Sequence, residues 1–437
     1  MFGKLDIPLD WKWKKLKDTL EFVIGGDWGK NEDFEDPEYG FAYCIRGTEI
    51  RNWQDQKGIT ASLRKIKLQN IEKRKLKEND ILVEISGGGP DQPVGRTVLI
   101  DRAALSHNPS VPKISTNFLR LIRPEQNIDS SFLNLYLKFF YATGEIVNYQ
   151  NGSNNLRNLK FPEYLKLKIP IPPKPTQQVI VSKIEELFSE LDKGIENLRT
   201  SQRQLKTYRQ AVLKWAFEGR LTNENVKDGE LPKGWQMTML GEFIENISSG
   251  KSYRCEERPP REGEVGIVKV SSVTWGFFDE MQSKTCFSND FLNIKYLIKQ
   301  KDFLFSRANT LEFIGACVIV KNVEKTLMLS DKILRFIFSN DVSKEFVLFY
   351  LRSRKGRKQI ETLSTGNQDS MRNIGQEKIR KIEFPYCSLK EQHKIVEEIE
   401  SRLSVADKME ESITQSLQQA EGLRQSILKK AFEGNLV

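Results

Sequence analysis

The chain has 437 residues, too many for one hydrophobic core, and 38% are apolar against 29% charged; that balance describes two or more globular domains and excludes a disordered or fibrous chain. No apolar run approaches the ~18 residues of a membrane span, and the opening MFGKLDIPLDWKWKK lacks an apolar signal core, so a cytoplasmic protein with no membrane partner is expected. Five scattered cysteines without a CxxC pair fit a reduced compartment and argue against a zinc ribbon, while a net charge of +9 favours a polyanionic partner without establishing one.

Taken in order, the chain says nearly everything twice. IPLDWKWKKLKD, residues 7–18, returns as LPKGWQMTMLGE, residues 231–242, with Trp11 on Trp235 and Leu16 on Leu240. Residues 20–168 then alternate strand-like runs with turns (FAYCIRG, DILVEIS, GRTVLID, FLRLIRP), and the second half answers with GIVKVSS, DFLFSR, GACVIVK and ILRFIFS. Asp80–Val83 corresponds to Asp302–Phe305, and Gly95–Ile100 to Gly315–Val320. One helix is predicted after each set, over FLNLYLKFFYATGEIVNY and EFVLFYLRSRKGRKQIETL. Matched loops follow: NGSNNLRNLKFPEYLKLKIPIP and TGNQDSMRNIGQEKIRKIEFPY.

The strongest repeat closes each half, at residues 169–222 and 384–437, in one constant register without a gap. Pro170 falls on Pro385, Gln177 on Gln392, Ile184 on Ile399, Asp192 on Asp407, and Ala216-Phe217-Glu218-Gly219 on Ala431-Phe432-Glu433-Gly434. Apolar residues recur at helical spacing: Ile184, Leu187, Leu191, Leu198, Leu205, Tyr208, Val212 and Trp215 in the first copy. The second copy is thinner, with Ile399, Ala406, Met409, Ile413, Ala420, Leu423 and Ile427; its Ala406, Ser416 and Ala420 would let a partner backbone come close. Thr176 reads as an N-cap, Ser388 with Glu391 as a capping box, and Gly219 and Gly434 as helix ends. Two helices of about 43 residues, roughly 65 Å long, are predicted. The expected divisions are a globular segment at 1–170, a long helix at 171–222, a second globular segment at 223–385 after the polar link NENVKDGE, and a C-terminal helix at 386–437.

No catalytic constellation stands out. Ser249-Gly250-Lys251-Ser252 lacks the earlier glycine of a phosphate loop, where Glu245 stands instead; Gly25-Gly26-Asp27-Trp28-Gly29-Lys30 is one residue short. The two sites correspond in the duplication, which makes them loops at the start of each globular segment. Neither His107 nor His393 has a partner at metal-ligand spacing, and His107-Asn108-Pro109 only faintly resembles a methyltransferase motif. No serine sits in a nucleophile elbow.

Basic and aromatic residues interleave at residues 11–15, 64–67, 73–77 and 352–358, as phosphate contacts require; a solvated basic face would look the same for any one cluster. Two loops could offer hydrogen-bonding groups to base edges: Ser86-Gly87-Gly88-Gly89, and Ser306-Arg307-Ala308-Asn309-Thr310, where Arg307 suits guanine and Asn309 adenine; plain turns would look alike. The candidate DNA contacts are Lys30, Arg46, Ser86, Gly88 and Arg96 in the first half, and Lys251, Tyr253, Arg254, Lys269, Arg307 and Asn309 in the second.

These features together resemble the specificity (S) subunit of type I restriction-modification systems. The resemblance covers the whole chain. It is carried by the two repeats ending in Ala-Phe-Glu-Gly, by Ile-Pro-Ile-Pro-Pro and Phe-Pro-Tyr ahead of Gln177 and Gln392, by Leu-Pro-Lys-Gly-Trp at 231–235, and by the Gly-Ser and Gly-Asn loops at 152 and 366. The first half departs in reading IPLDW and in lacking the usual glutamate before Gln177. The resemblance implies an α+β fold class: two globular α/β target-recognition domains separated by two long antiparallel coiled-coil helices, with an internal pseudo-two-fold duplication. It implies that each domain reads one half of a bipartite double-stranded DNA target. The helices would set the spacer and dock two methyltransferase (M) subunits, and restriction (R) subunits would join. The chain would then be no enzyme and hold no cofactor or metal of its own; S-adenosylmethionine, ATP and magnesium would belong to its partners. A rod of two helices cannot bury every apolar position alone, so Ile180, Ile184, Phe188, Ile195, Ile395, Ile399, Leu403 and Met409 are expected to meet the methyltransferase. The alternative from the residues alone is a non-catalytic coiled-coil protein-interaction scaffold, with a stand-alone enzyme third.

Overall fold

Each half begins by tying its first strand to the residues just ahead of its long helix. In the computed structural model, which describes residues 5–89, 92–152, 156–223, 225–227, 229–368 and 371–437, Lys12–Lys15 pairs antiparallel with Lys168–Ile171, and Gln236–Met239 pairs likewise with Glu383–Tyr386. A four-stranded sheet follows in each half. Across it run Leu20–Gly25, Leu119–Pro124, Ile81–Glu84 and Thr97–Leu99 in the first, and Ile244–Ser249, Ile333–Phe338, Phe303–Ser306 and Cys317–Ile319 in the second. The runs DILV and DFLF thus occupy the same interior position. Every residue of Ile81–Glu84 and Phe303–Ser306 is buried, which is why these strands read as continuous rather than alternating. The preceding aspartates are anchors: Asp80 accepts from Arg123 at 2.6 and 2.8 Å, and Asp302 from Arg335 at 3.0 Å.

The predicted single helices after these sheets are broken in both halves. The first runs Ser130–Ala142, then Gly144 at φ +79° turns the chain into a short 3-10 stretch, Glu145–Tyr149. The second is split into Lys344–Arg352 and Arg354–Leu363 because Ser353 is extended, and its hydroxyl accepts from the Gly356 amide to start the next helix. Gly356 is required there: a Cβ would lie 2.2 Å from the Tyr350 carbonyl oxygen.

The long helices span Lys174–Phe217 and Leu389–Phe432, 44 residues each. The first starts ahead of Thr176, which therefore lies inside the first turn rather than capping it. Ser388 does cap its helix, accepting from the Glu391 amide at 3.4 Å. The Glu391 carboxylate leaves the expected box to bind the Thr222 hydroxyl and Asn223. Gln177 and Gln392 are the stronger fasteners. Both are fully buried. Gln177 accepts from the Asp129 amide (2.7 Å) and donates to the Pro172 carbonyl (2.9 Å); Gln392 accepts from Ser343 and donates to Cys387, both at 2.8 Å. Each glutamine thereby clips the start of a long helix to the N-cap of the preceding domain helix. Removing one would strand buried main-chain groups at ~1–3 kcal/mol each.

By packing, the chain divides into two compact units: residues up to Leu198 together with Gln415–Val437, and Arg199–Thr414. Each unit contains part of both long helices, running antiparallel. The duplication makes the same ion pair twice, Asp192 with Arg424 in the first unit and Asp407 with Arg209 in the second. It also sends each Ala-Phe-Glu-Gly end into the core of the unit that the other helix opens. Phe432 lies against Phe132, Tyr136 and Phe139 at ring distances of 5.0–5.5 Å, beside Ile180 and Ile184. Phe217 lies against Phe346 and Tyr350, each at 5.1 Å, beside Ile395 and Ile399. Gly219 and Gly434 end the helices at φ +75° and +72°, with Pro232 and Pro8 packed where a side chain would stand.

This packing corrects two expectations. Ile180, Ile184, Ile395 and Ile399 are completely buried in the chain's own cores, so they cannot meet a partner. Phe188, Ile195 and Leu403 are half-buried, and of the eight residues named only Met409 is exposed. Conversely, Tyr208, Trp215 and Leu423, expected in the seam, face outward, while Val212, Ala216, Ala406 and Ala420 are buried. Among the described residues, no helix is long and apolar enough to cross a membrane.

Candidate nucleic-acid interface

In the first unit the candidates converge around a cavity of about 690 Å³, lined among others by Trp28, Arg46, Ser86, Gln92, Arg96 and Phe118, with Gly87 and Gly89 on either side of Gly88. The two arginines are less free than the sequence suggested. Arg96 grips the buried Glu84 with two hydrogen bonds, 2.8 and 2.5 Å, and reaches the Gly47 carbonyl at 3.2 Å. Glu84 stabilises its charge against the burial that would lower the pKa. Arg46 pairs with Glu49 at 2.6 Å and touches the Thr60 carbonyl. Burial alone would raise the Glu49 pKa, but Arg46 offsets this and holds the carboxyl below its ordinary range. Both arginines therefore brace the wall, and a bidentate grip on guanine would require Arg96 to abandon a buried carboxylate.

Ser86 and Gly88 lie on a strand, not in a free loop. Ser86–Gly88 pairs with Arg157–Leu159, which pairs in turn with Gln150–Asn151, and the Ser86 hydroxyl donates to Asn158 at 2.6 Å. Gly88 is needed for closeness, since a Cβ would lie 2.5 Å from the Gln92 carbonyl.

Beside the cavity, cations stand over aromatic rings on the sheet of Ser62–Lys67, Tyr39–Ile45 and Lys113–Ser115. Lys65 lies 3.9 Å from the Phe41 ring centre, Arg64 4.3 Å from Trp28, and Lys67 5.9 Å from Tyr39. Lys30 lies 5.8 Å from Phe34 and bridges main chain to main chain with Lys65. Lys65 opposes Phe41 and Lys67 opposes Tyr39 in the strand register, so alternation puts both pairs on the outer face. Such seating fixes a cation cheaply and leaves the lysine N–H groups to the outside, whereas Arg64 also donates to the Trp28 carbonyl at 3.0 Å and to Asn31 at 2.6 Å. The cluster at 64–67 was visible in the sequence; its aromatic seats Trp28, Tyr39 and Phe41 were not singled out.

In the second unit Tyr253 and Lys269 line a cleft of about 360 Å³ together with Glu257, Lys284, Asp331 and Lys332. Tyr253 stacks on Phe291 at 4.9 Å, Arg254 stands 5.9 Å over Phe287, and Lys251 is exposed. Glu257 binds both Lys269, at 3.2 Å, and Lys284. Lys284 and then Lys269 lower its pKa. The main chain of Arg307 donates to Lys332 at 2.9 Å, which sets it beside this cleft. Ala308–Asn309 pairs with Met371–Asn373, the counterpart of the Ser86 strand with its hairpin. Asn309 accepts from the Thr310 amide through its own side-chain oxygen, which leaves its amide donors for other use.

The hairpins add residues the sequence reading passed over. Arg157 and Arg372 are equivalent, as are Asn158 and Asn373, and the shared Arg-Asn in the two matched loops was the available signal. Arg372 binds the Gly366 carbonyl (2.7 Å) and Ser364 (3.1 Å to its carbonyl), and Arg157 the Gly152 carbonyl (3.2 Å). Being alike in both units and turned onto their own loops, they shape the site rather than distinguish targets. Ser153 lies outside the described residues. Two of the three arginines of the 352–358 cluster are also inward: Arg352 and Arg357 bind main-chain carbonyls at 276, 317, 312 and 314, whereas Arg354 is exposed. The glycine segments are not phosphate loops; a Cβ at Gly26 would lie 2.1 Å from the Ser115 carbonyl, and at Gly250 1.7 Å from that of Leu329. Among the described residues no three His, Cys, Asp or Glu side chains are grouped to hold a metal.

Residues 8–199 and 232–419 each match the family described as the type I restriction modification DNA specificity domain. The chain is 26% identical to the type I restriction enzyme EcoKI specificity subunit of Escherichia coli (strain K12), covering 99% of this chain and 90% of that protein. It is 24% identical, with the same coverage, to the StySPI specificity subunit of Salmonella potsdam. The HsdS subunit from Thermoanaerobacter tengcongensis shares the fold with a TM-score of 0.62 at 16% identity, over 99% of both chains. A chain from a type I R-M system solved for its complex assembly and conformational transition gives 0.71 at 15% identity, over 98% of this chain and 99% of that one.

Proposed function

The chain belongs to the type I restriction-modification DNA specificity family, and from that membership we propose that each of its two units reads one half of a bipartite double-stranded DNA target. One observation carries the reading. The two units repeat the same frame around different linings: where the first places Ile85-Ser86-Gly87-Gly88, the second places Arg307-Ala308-Asn309. A shared frame with unlike donors and acceptors is what two unlike half-sites require. The cations seated at Lys30, Arg64, Lys65 and Lys67, and the exposed Lys251 and Arg254, suit phosphates, which position without specifying.

The long helices act as the spacer. Inserting about two turns in both would lengthen the unread gap and leave the half-sites unchanged; altered half-sites at constant spacing would refute this. A methyltransferase subunit docks on the apolar residues the helices leave outside, Tyr208, Trp215, Val405 and Met409 in the second unit and Val179 and Leu423 in the first. The restriction subunit joins that assembly. S-adenosylmethionine, ATP and magnesium are used by those partners, and this chain contributes recognition rather than bond-making.

The test is co-expression with the methyltransferase subunit in a host without DNA methylation, followed by sequencing of modified bases. A split motif with one modified adenine on each strand is expected. A stable complex that neither modifies nor binds DNA would favour the protein-scaffold alternative.

A further inference from the structure

We propose that Cys255 and Cys286 form a reversible cross-strand disulfide that locks the recognition segment of the second unit against its sheet. Cys255–Glu256 is an edge strand; at the matching edge of the first unit's three-stranded sheet, the described residues make only the single bridge of Lys30 to Lys65. It pairs antiparallel with Ser283–Cys286, and Cys255 stands directly opposite Cys286. Opposed residues in antiparallel strands have Cα atoms about 4.5–5.5 Å apart, inside the span a disulfide bridges. The sulfurs are already 3.9 Å apart. The other cysteines have no such partner: Cys44 opposes Ser62, and Cys317 opposes Phe305.

The position gives the bond a consequence. Lys251, Tyr253 and Arg254 immediately precede Cys255. Aromatic contacts hold the last two, Tyr253 on Phe291 and Arg254 over Phe287, the residue after Cys286. A covalent bond at 255 would fasten this segment through one more point, and only in the second unit.

The chemistry is thiol–disulfide exchange with a small-molecule disulfide such as oxidised glutathione. Cys255 is half-exposed and reacts first: its thiolate attacks one glutathione sulfur, and one reduced glutathione leaves. Cys286 then loses its proton to solvent and attacks the Cys255 sulfur, expelling the second glutathione. Two protein thiols are oxidised and one glutathione disulfide is reduced, so electrons and hydrogens balance. Burial, followed by the neighbouring Cys255, pushes the Cys286 thiol up to about 12. It is therefore a poor first nucleophile, and the closing step should quicken as pH rises.

The full-length chain, freshly reduced, is exposed to oxidised glutathione, blocked with N-ethylmaleimide and mapped by mass spectrometry without reduction. A 255–286 linked peptide, lighter by two hydrogens, is expected, with Cys44, Cys317 and Cys387 unlinked. Glutathione persisting on Cys255, or two blocked free thiols, would overturn the proposal. In Cys286→Ala the glutathione adduct on Cys255 should persist; a disulfide from Cys255 to another cysteine would count against the pairing. Tryptic cleavage after Lys251 and Arg254 should slow about tenfold on oxidation and recover with dithiothreitol; unchanged rates would refute the lock. The effect on DNA rests on the recognition role proposed above: oxidation should alter binding through the second half-site only. A failed cross-link alongside a correctly split methylation motif would remove this inference and leave the recognition reading standing.

Discussion

The outer sheets of the two units start from one frame and end with opposite electrostatics. In the first, lysines and an arginine are seated on aromatic rings: Lys65 on Phe41, Lys67 on Tyr39, Arg64 on Trp28. In the second, Lys269 and Lys284 share the carboxylate of Glu257, and Arg258 is held between Glu256 and Glu264. A ring orients a cation without neutralising it, whereas a carboxylate competes with phosphate for the same hydrogen bonds. On the proposed reading, the first face therefore suits a sequence-independent grip. The second unit carries distinctive hydrogen-bonding groups at Arg307, a bend, and Asn309, on the edge strand of the neighbouring sheet.

The comparison can be broken first at the frame. Asp80 is fully buried and Asp302 is not, although each is held by an arginine of the neighbouring strand. Arg123→Ala should cost about 3–5 kcal/mol by leaving a buried carboxylate alone, and Arg335→Ala about half as much; urea unfolding would show equal losses if the units were equivalent. At the reading strand, Arg307→Ala should cost about 1–3 kcal/mol of discrimination and relax the second half-site alone. Methylation mapping would contradict this if the first half-site changed. Lys65→Ala should weaken binding to every DNA about equally and lower the salt slope by ~1, while Lys284→Ala should lower it less, because Glu257 already engages it. Glu257→Gln should raise DNA affinity a few-fold at low salt; an unchanged affinity would mean the second face is not approached by phosphate.

The smallest effect concerns acid. Glu49 has its pKa lowered in the folded chain, with burial opposing and Arg46 prevailing. A lowered carboxylate stabilises fully above its unfolded pKa of ~4.3 and loses that contribution as pH falls through the lower folded value. Glu49→Gln should therefore flatten the acid side of the first unit's stability curve. An unchanged acid limb would show that Arg46 does not hold Glu49 in solution.

The duplication made much of this legible. Identical spacing of Gln177 and Gln392, and of Phe217 and Phe432, placed the long helices and their ends. Register also paired Asp80–Val83 with Asp302–Phe305, which now stand at one position in matching sheets. Three-dimensional partners were not legible. Arg96 looked like a reader because its carboxylate, Glu84, is a strand residue on the neighbouring strand and gives no local sign. Ser86 and Asn309 looked like loop residues because the strands that pair with them come from hairpins far along the chain. Ser353 broke a helix that its apolar periodicity would have continued, since capping competes with periodicity at a single residue. Ile180 and Ile395 were taken for docking residues because helical spacing cannot say which apolar face is already covered.

The placement of Phe432 also orders events in time. It fills the aromatic core of the unit whose first and larger segment ends at Leu198. A ribosome adding roughly 5–20 residues per second completes the continuous Arg199–Thr414 unit before it reaches Phe432. The half made first thus waits on the order of ten to fifty seconds with Phe132, Tyr136 and Phe139 uncovered, so the earliest-made domain is the last to close and the more exposed to premature release of the chain.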